Sequence, residues 1–290
     1  MNRSKLTFLS AMGVFGTIGI FIRYIPLPSS TIAFFRGALG VLFLLGVMLV
    51  GRKKFDKAAI RANLLLLCLS GAAIGINWIL LFESYRYTTV ATSTVCYYLA
   101  PLFLLLACPL LGERLTAKKL LCIAVALVGL VFVSGVMEGG LPESKDLAGI
   151  GLGIGAALFY ATVMFLNKKF SPIPAYDKTI LQLSAASLVI APYLLATGGF
   201  SLSGLTDVQW ALLLVVGIVH TGIAYTMYFG AMKDLSTHAI ALFSYLDPVI
   251  AVILSALVLR EPLTLWGILG TVLILGSALY SELDAARSSR

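Results

Sequence analysis

The chain is 290 residues long, 60% hydrophobic and only 12% charged, with a formal net charge of +8. Soluble domains run to about 45–50% apolar and about 25% charged residues, so this composition excludes a water-covered globular surface and leaves lipid as the main solvent. The basic excess is spread over many short segments, which argues against the clustered basic face of a nucleic-acid binder.

A membrane-crossing helix needs about 20 apolar residues. Such stretches recur near residues 6–25, 30–50, 62–83, 88–110, 118–137, 148–167, 178–197, 208–231, 236–258 and 264–283, giving ten predicted spans with short connections. The first lacks the short apolar core and small-residue cleavage site of a signal peptide and reads as a retained membrane helix. The second carries Arg36 about two turns from its end. A charge at mid-membrane costs about 2.5–3.5 kcal/mol on insertion scales, so it is expected to face a cavity or a partner. The third span holds Asn77, Trp78 and, near its end, Glu83. Two readings stay open: Arg36 pairs structurally with Glu83, or it meets a substrate carboxylate while an acidic group meets the amine. Glu83 is shallow enough to snorkel towards water.

The fourth span contains Tyr97, Tyr98 and Pro101, and the sixth contains Tyr160 after the stretch GIGLGIG at 149–155. That stretch holds two overlapping GxxxG patterns, which permit close helix approach. It is not GxGxxG and no strand precedes it, so a nucleotide site is not expected. In the eighth span His220 shares a face with Gly217, Thr221, Ala224 and Tyr228, beside Tyr225. Histidine is the natural proton-sensitive group; hydrogen-bonded packing is the alternative. In the ninth span Asp247 directly precedes Pro248, which removes a backbone donor and disturbs the turn before it. Ser244, Asp247, Ala251 and Ser255 recur at three- and four-residue spacing on one small, polar face. That face suits a cavity wall; the alternative is that Asp247 satisfies a neighbouring helix's hydroxyl or backbone.

Trp78, Tyr97, Tyr98, Tyr160, Tyr225 and Tyr228 lie within spans instead of at their ends, where membrane-interface aromatics gather. Buried tyrosine hydroxyls need partners, and aromatic faces attract cations. The group favours an amphipathic, amine-bearing organic solute. Cys68, Cys96, Cys108 and Cys122 all fall in predicted helices with no metal-type spacing and read as packing residues.

With a cytoplasmic N-terminus, sixteen basic residues fall on inside segments and only Arg23, Arg86, Lys145 and Arg260 outside. The positive-inside rule then places both termini in the cytoplasm and the 138–147 connection outside.

The chain also repeats itself. Residues 97–116 read YYLAPLFLLLACPLLGERLT, and residues 244–264 read SYLDPVIAVILSALVLREPLT. An offset of 147 aligns Ser84 with Ala231, Arg86 with Lys233, Tyr98 with Tyr245, Leu99 with Leu246 and Pro101 with Pro248. One added residue then aligns Glu113 with Glu261, Leu115 with Leu263 and Thr116 with Thr264. Five spans per repeat is odd, so the second copy enters the membrane inverted. Inverted repeats around a midplane site are a recurring plan of secondary transporters. Ala100 aligns with Asp247, so the repeat does not itself require that carboxylate.

Ten spans in two halves, each with an Ala-or-Ser/Lys-or-Arg turn, a proline in the fourth span and a Glu-containing turn after it, resemble the EamA type of the drug/metabolite transporter superfamily. The resemblance covers essentially the whole chain. It implies a basket of ten helices around a central cavity, and export of amino acids or related metabolites by most bacterial members.

These readings converge on an all-α membrane protein. One transmembrane domain over 1–290 holds two inverted five-helix repeats, about 1–137 and about 148–290, around a central cavity. The expected function is secondary transport, as an exporter, of small amine-bearing metabolites by alternating access across the cytoplasmic membrane, as a monomer or homodimer. Arg36, Asn77, Trp78, Tyr97, Tyr98, Tyr160, Tyr225, Tyr228 and Ser244 are the candidate substrate contacts. Asp247, His220 and Glu83 are the candidate ion-coupling groups, with protons as the ion. No cofactor, metal or nucleic acid is expected, and no catalytic residue. The alternative is a polytopic membrane enzyme acting on a lipid or lipid-linked substrate; against it stand the absence of HxxxD, HExxH and paired-aspartate motifs.

Overall fold

A computed structural model describes residues 3–111, 116–134, 137, 143–197, 199–200, 202–232, 234–235 and 243–288. The described residues are helical, without strands. In chain order they form α1 (Arg3–Arg23), α2 (Ser29–Val50), α3 (Lys57–Tyr87), α4 (Val90–Tyr97), α5 (Ala100–Leu106), a 3-10 turn (Cys108–Leu111), α6 (Ala117–Val133), α7 (Ser144–Asn167) and α8 (Ala175–Thr197). Then come α9 (Asp207–Gly217), a π turn (Ile218–Ile223), α10 (Ala224–Met232), α11 (Leu246–Val258) and α12 (Leu265–Ser288).

Polar caps set the helix starts. Asp56 accepts from the Ala59 N–H at 3.0 Å and Thr89 from the Thr92 N–H at 2.9 Å. Thr206 and Gln209 form a reciprocal capping box. Such caps satisfy donors that the first helical turn leaves unpaired. Leucines at positions 65, 121, 195 and 257 are 64–74% exposed. An outward face that is apolar everywhere is a lipid-facing one.

By length and composition six helices can cross a membrane: α1, α2, α3, α7, α8 and the 207–228 stretch through the π turn. Val90–Leu106, Leu246–Val258 and Leu265–Ser281 are shorter apolar helices. The fourth expected span is therefore not one helix. Pro101 has no N–H for the Tyr97 carbonyl, and its ring would collide with that carbonyl in a continuous helix. The chain turns at Tyr98 and Leu99, and Phe103 restarts the ladder by donating to the Leu99 carbonyl at 3.0 Å. The ninth expected span breaks at the same place: Tyr245 is a turn and α11 begins at Leu246, with Pro248 in its first turn. Cys108 belongs to the 3-10 turn rather than an α-helix, and Cys68 is exposed rather than packed, whereas Cys96 and Cys122 are buried. The GERLT turn lies mostly outside the described residues, Glu113 included.

Packing partners exchange between the halves. α3 packs on α7 as α1 packs on α10, and α1 on α11 as α4 on α7. Three helices meet their own counterparts, each time running antiparallel. Thr31 of α2 donates to the Gly199 carbonyl just after α8, while Asp56, after α2, donates its N–H to Asp177 near the start of α8. Tyr98 meets Tyr245, ring centroids 6.1 Å apart, while Val90 meets Glu261. Lys118 at the start of α6 pairs with Asp284 at the end of α12, and Phe132 at its end meets Trp266.

Candidate functional site

A cavity of about 520 Å³ lies among α1, α2, α3, α4–α5, α7, α8, α10 and α11. Helices α6 and α12 pack on each other and give it no described residue. Its walls include Arg36, Asn77, Trp78, Tyr97, Tyr98, Tyr160, Tyr225, Tyr228, Ser244 and Asp247. All nine candidate substrate contacts and one of the three coupling candidates thus share one space.

Arg36 is 6% exposed on the inner face of α2. Its Nε donates to Thr221 Oγ1 at 2.9 Å, and the guanidinium lies 4.2 Å from the Trp78 ring centroid and 5.7 Å from that of Phe82. Its terminal nitrogens carry no hydrogen bond or ion pair among the described residues. Of the two open readings of Arg36, this geometry corrects the structural pair with Glu83, which instead accepts from Ser29 Oγ at 2.5 Å. Glu83 does not line the cavity. The connection after α1 brings Ser29 to the carboxylate, so Glu83 ties the start of α2 to the end of α3.

Asp247 occupies the first turn of α11 and accepts from the Tyr98 hydroxyl at 2.7 Å. This bond joins the two proline-broken segments, one from each half. Gly16 makes room for the arrangement, since a Cβ there would lie 2.7 Å from the Asp247 carbonyl. Ser244 and Ala251 share the cavity wall, but Ser255, one turn farther, is buried and donates to Glu261. Asn77 lines the cavity while its amide donates to the Ala156 carbonyl at 2.6 Å, clamping α3 to α7. Tyr97 stacks on Tyr160 at 5.0 Å, making a flat aromatic floor.

His220 sits elsewhere. It is 1% exposed, lies 2.8 Å from Thr17 Oγ1 through Nε2 and faces the Val215 carbonyl through Nδ1 at 3.3 Å. A carbonyl at Nδ1 requires the proton there, while Thr17, at Nε2, has one hydroxyl proton and also lies 2.8 Å from the Val14 carbonyl. Both ring nitrogens thus face protein atoms, and His220 is absent from the cavity wall. The π turn explains the displacement. It inserts an extra residue into the helix, so the face carrying Tyr225 and Tyr228 rotates away from His220.

Sequence reasoning missed one side of the site. Asn167, Lys168, Lys178, Thr179 and Gln182 also line the cavity. Gln182 donates to Ser70 Oγ at 2.8 Å and to Asn167 Oδ1 at 3.0 Å. The polar spacing 178, 179, 182 within α8 was the available signal. Lys168 is exposed and marks the mouth. At the opposite end the cavity stops at Phe82 and Tyr85, which also line a separate space of about 240 Å³ beside Arg23 and Arg86. Around that end Glu261 receives the Val90 N–H at 2.9 Å and the Ser255 hydroxyl, with Arg23 at 4.0 Å. Arg86 donates to the Leu27 carbonyl at 3.2 Å.

Of the two GxxxG pairs, Gly149 and Gly153 pack closely, against Thr88 and Cys96, whereas Gly151 has open space. Arg260 adopts φ 56°, the left-handed backbone of the turn that carries Glu261.

The profile of the EamA-like transporter family matches residues 3–135 and again residues 147–281. An uncharacterized transporter of Bacillus subtilis, YxxF, is 32% identical, over 94% of this chain and 87% of its own. A probable amino-acid metabolite efflux pump of Salmonella typhimurium is 29% identical over 62% of each chain. A crystal structure 20% identical in sequence superposes with a TM-score of 0.67, over 98% of this chain and 99% of the other.

Proposed function

The chain belongs to the EamA-like transporter family, and we propose that it is a secondary transporter exporting small organic solutes that bear an amine and a carboxylate, amino acids or their relatives. One observation carries this reading: Arg36 from the first half and Asp247 from the second face one aromatic-walled cavity. A zwitterion presents the complementary charges, and Trp78 and the Tyr97–Tyr160 pair offer π faces to its amine or apolar part. The Salmonella relative's name favours the same class and direction.

In this reading ten spans form two inverted repeats, with both termini cytoplasmic. The twofold family match, the exchanged packing partners and the antiparallel counterparts support it. The Lys168–Lys178 end is then cytoplasmic by the positive-inside rule, so the cavity opens inward, ready to load an exported solute. Opening to the other side requires parting the Phe82–Tyr85 septum and the polar ties around Glu261. Proton coupling falls to Asp247, the one carboxylate among the described cavity residues.

Counterflow in reconstituted vesicles tests the reading. Vesicles preloaded with unlabelled amino acid should transiently accumulate the labelled form with its chemistry unchanged. Chemical conversion of the solute, or no exchange with any amino acid or amine, would sink it.

A further inference from the structure

The cavity holds more positive charge than a simple zwitterion needs. Among its described lining residues Arg36, Lys168 and Lys178 are basic, and Asp247 alone is acidic. Lys178 is the informative member. Its ammonium has no hydrogen bond or ion pair among the described residues; its contact is the Phe170 ring, at 5.7 Å. The neighbouring Asp177 cannot neutralise it, because that side chain is 2% exposed and accepts the Asp56 N–H at 2.8 Å. Positive-inside bias alone accounts for a lysine at this end of a helix, but not for one in the cavity wall.

The spacing of the two cations defines what fits between them. A Cβ at Gly37 would touch Ser187 and the Leu183 carbonyl region, so Arg36 lies level with the 183–187 stretch of α8. Lys178 lies five to nine residues nearer the mouth, roughly 7–14 Å at 1.5 Å per residue. The Arg36 guanidinium reaches towards Trp78 and Phe82 at the closed end, and the Lys178 ammonium towards Phe170 by the mouth. A solute that meets both cations therefore draws the flexible Lys178 side chain away from Phe170 and into the cavity. Charges brought together in a partly dehydrated cavity attract far more strongly than in water.

We propose that the preferred solute carries a second acidic group, which Lys178 receives at the mouth while Arg36 holds the first carboxylate. This rests on the amino-acid reading above and narrows it to acidic amino acids and similar dicarboxylates with an amine. Asn167 lines the same side, and its amide N–H groups can flank the second acid while its oxygen accepts from Gln182.

The test uses matched pairs: L-glutamate against L-glutamine, and L-aspartate against L-asparagine, with 2-aminoadipate as a longer acid. The readout is the concentration giving half-maximal thermal stabilisation of the purified full-length protein, since ligand binding to the folded state raises apparent stability. The acidic member of at least one pair should bind about tenfold more tightly than its amide. Lys178→Gln should bring that pair to within about twofold, and Lys178→Arg should retain the preference. Equal or better binding of the amides in the unaltered protein overturns the inference and leaves the amino-acid reading standing. An acidic preference that survives Lys178→Gln overturns the role of Lys178. Failure of every amino acid to bind removes the broader reading and the inference together.

Discussion

Asp247→Asn separates the carboxylate's charge from its shape. The Asn oxygen can still accept from Tyr98, now at 2.7 Å from the carboxylate, so that link survives in weaker form. A hydrogen bond to a charged group contributes about 1.5–3 kcal/mol and a neutral one about 0.5–1.5; the variant should therefore lose only about 1 kcal/mol of stability and remain folded. Its transport should change far more. One proton moving down a pH difference of about one unit releases about 1.4 kcal/mol, which sustains about a tenfold solute ratio in a one-for-one exchange. An amide carries no such proton. Vesicles with an imposed one-unit gradient should thus reach about a tenfold solute ratio with the unaltered protein and near parity with the variant, while exchange at equal pH continues at a measurable rate. Tyr98→Phe is the companion, keeping the carboxylate and deleting the bond; it should lower stability by about 1–3 kcal/mol yet stay gradient-driven. A tenfold ratio in the Asn variant would refute the reasoning and leave Asp247 a packing residue.

Arg36→Gln should weaken a carboxylate-bearing ligand about tenfold or more while sparing its decarboxylated amine in thermal-shift titrations; adding Glu83→Gln should rescue nothing, because Glu83 bonds Ser29 instead. His220→Ala should lower stability by leaving Thr17 and Val215 without their ring partner, and it should leave the proton-driven solute ratio near that of the unaltered protein. Glu261→Gln should loosen the closed end by about 1–3 kcal/mol, read as faster labelling of a cysteine at Tyr85 by an impermeant thiol reagent added outside. A cysteine at Lys145 in a cysteine-free background should react from the outside only; labelling from the cytoplasmic side alone would defeat the inverted arrangement.

Most of the scaffold was legible because lipid imposes a coarse rule. Membrane-crossing helices must be apolar for about 20 residues, so α1, α2, α3, α7, α8 and the 207–228 stretch follow from counting, and the twofold family match agrees with the repeat in the sequence. The cavity's aromatic and charged wall was legible for a related reason: polar groups at membrane depth need somewhere to point, and Arg36, Asn77 and Asp247 point to one place. What escaped was anything that depends on backbone departing from 3.6 residues per turn. The π turn at Ile218–Ile223 moved His220 off the Tyr225–Tyr228 face, and no composition signal announces an inserted residue. The proline breaks were half legible, since the missing donor was foreseen but the division of the fourth span into α4 and α5 was not. Lys178 and Gln182 were passed over, the lysine because charge bias already explained a basic residue near a helix end. Their direction, into the wall or out to headgroups, is a tertiary fact.

The difference between Ala100 and Asp247 now has a physical setting. Tyr98 and Tyr245 are counterparts that meet ring to ring, so each stands close to the other half's broken helix. The bond from Tyr98 to Asp247 has a geometric mirror, Tyr245 towards residue 100, but Ala100 offers only a methyl. That methyl is fully buried in an apolar cluster with Val95, Leu102, Ala157 and Ile274. A carboxylate there would face hydrocarbon, where an unpaired charge is too costly to keep, whereas Asp247 faces a polar-lined space. The repeat therefore supplies two similar backbone breaks but only one with room for a charge. On the proposed reading, that difference confines coupling through Asp247 to one half.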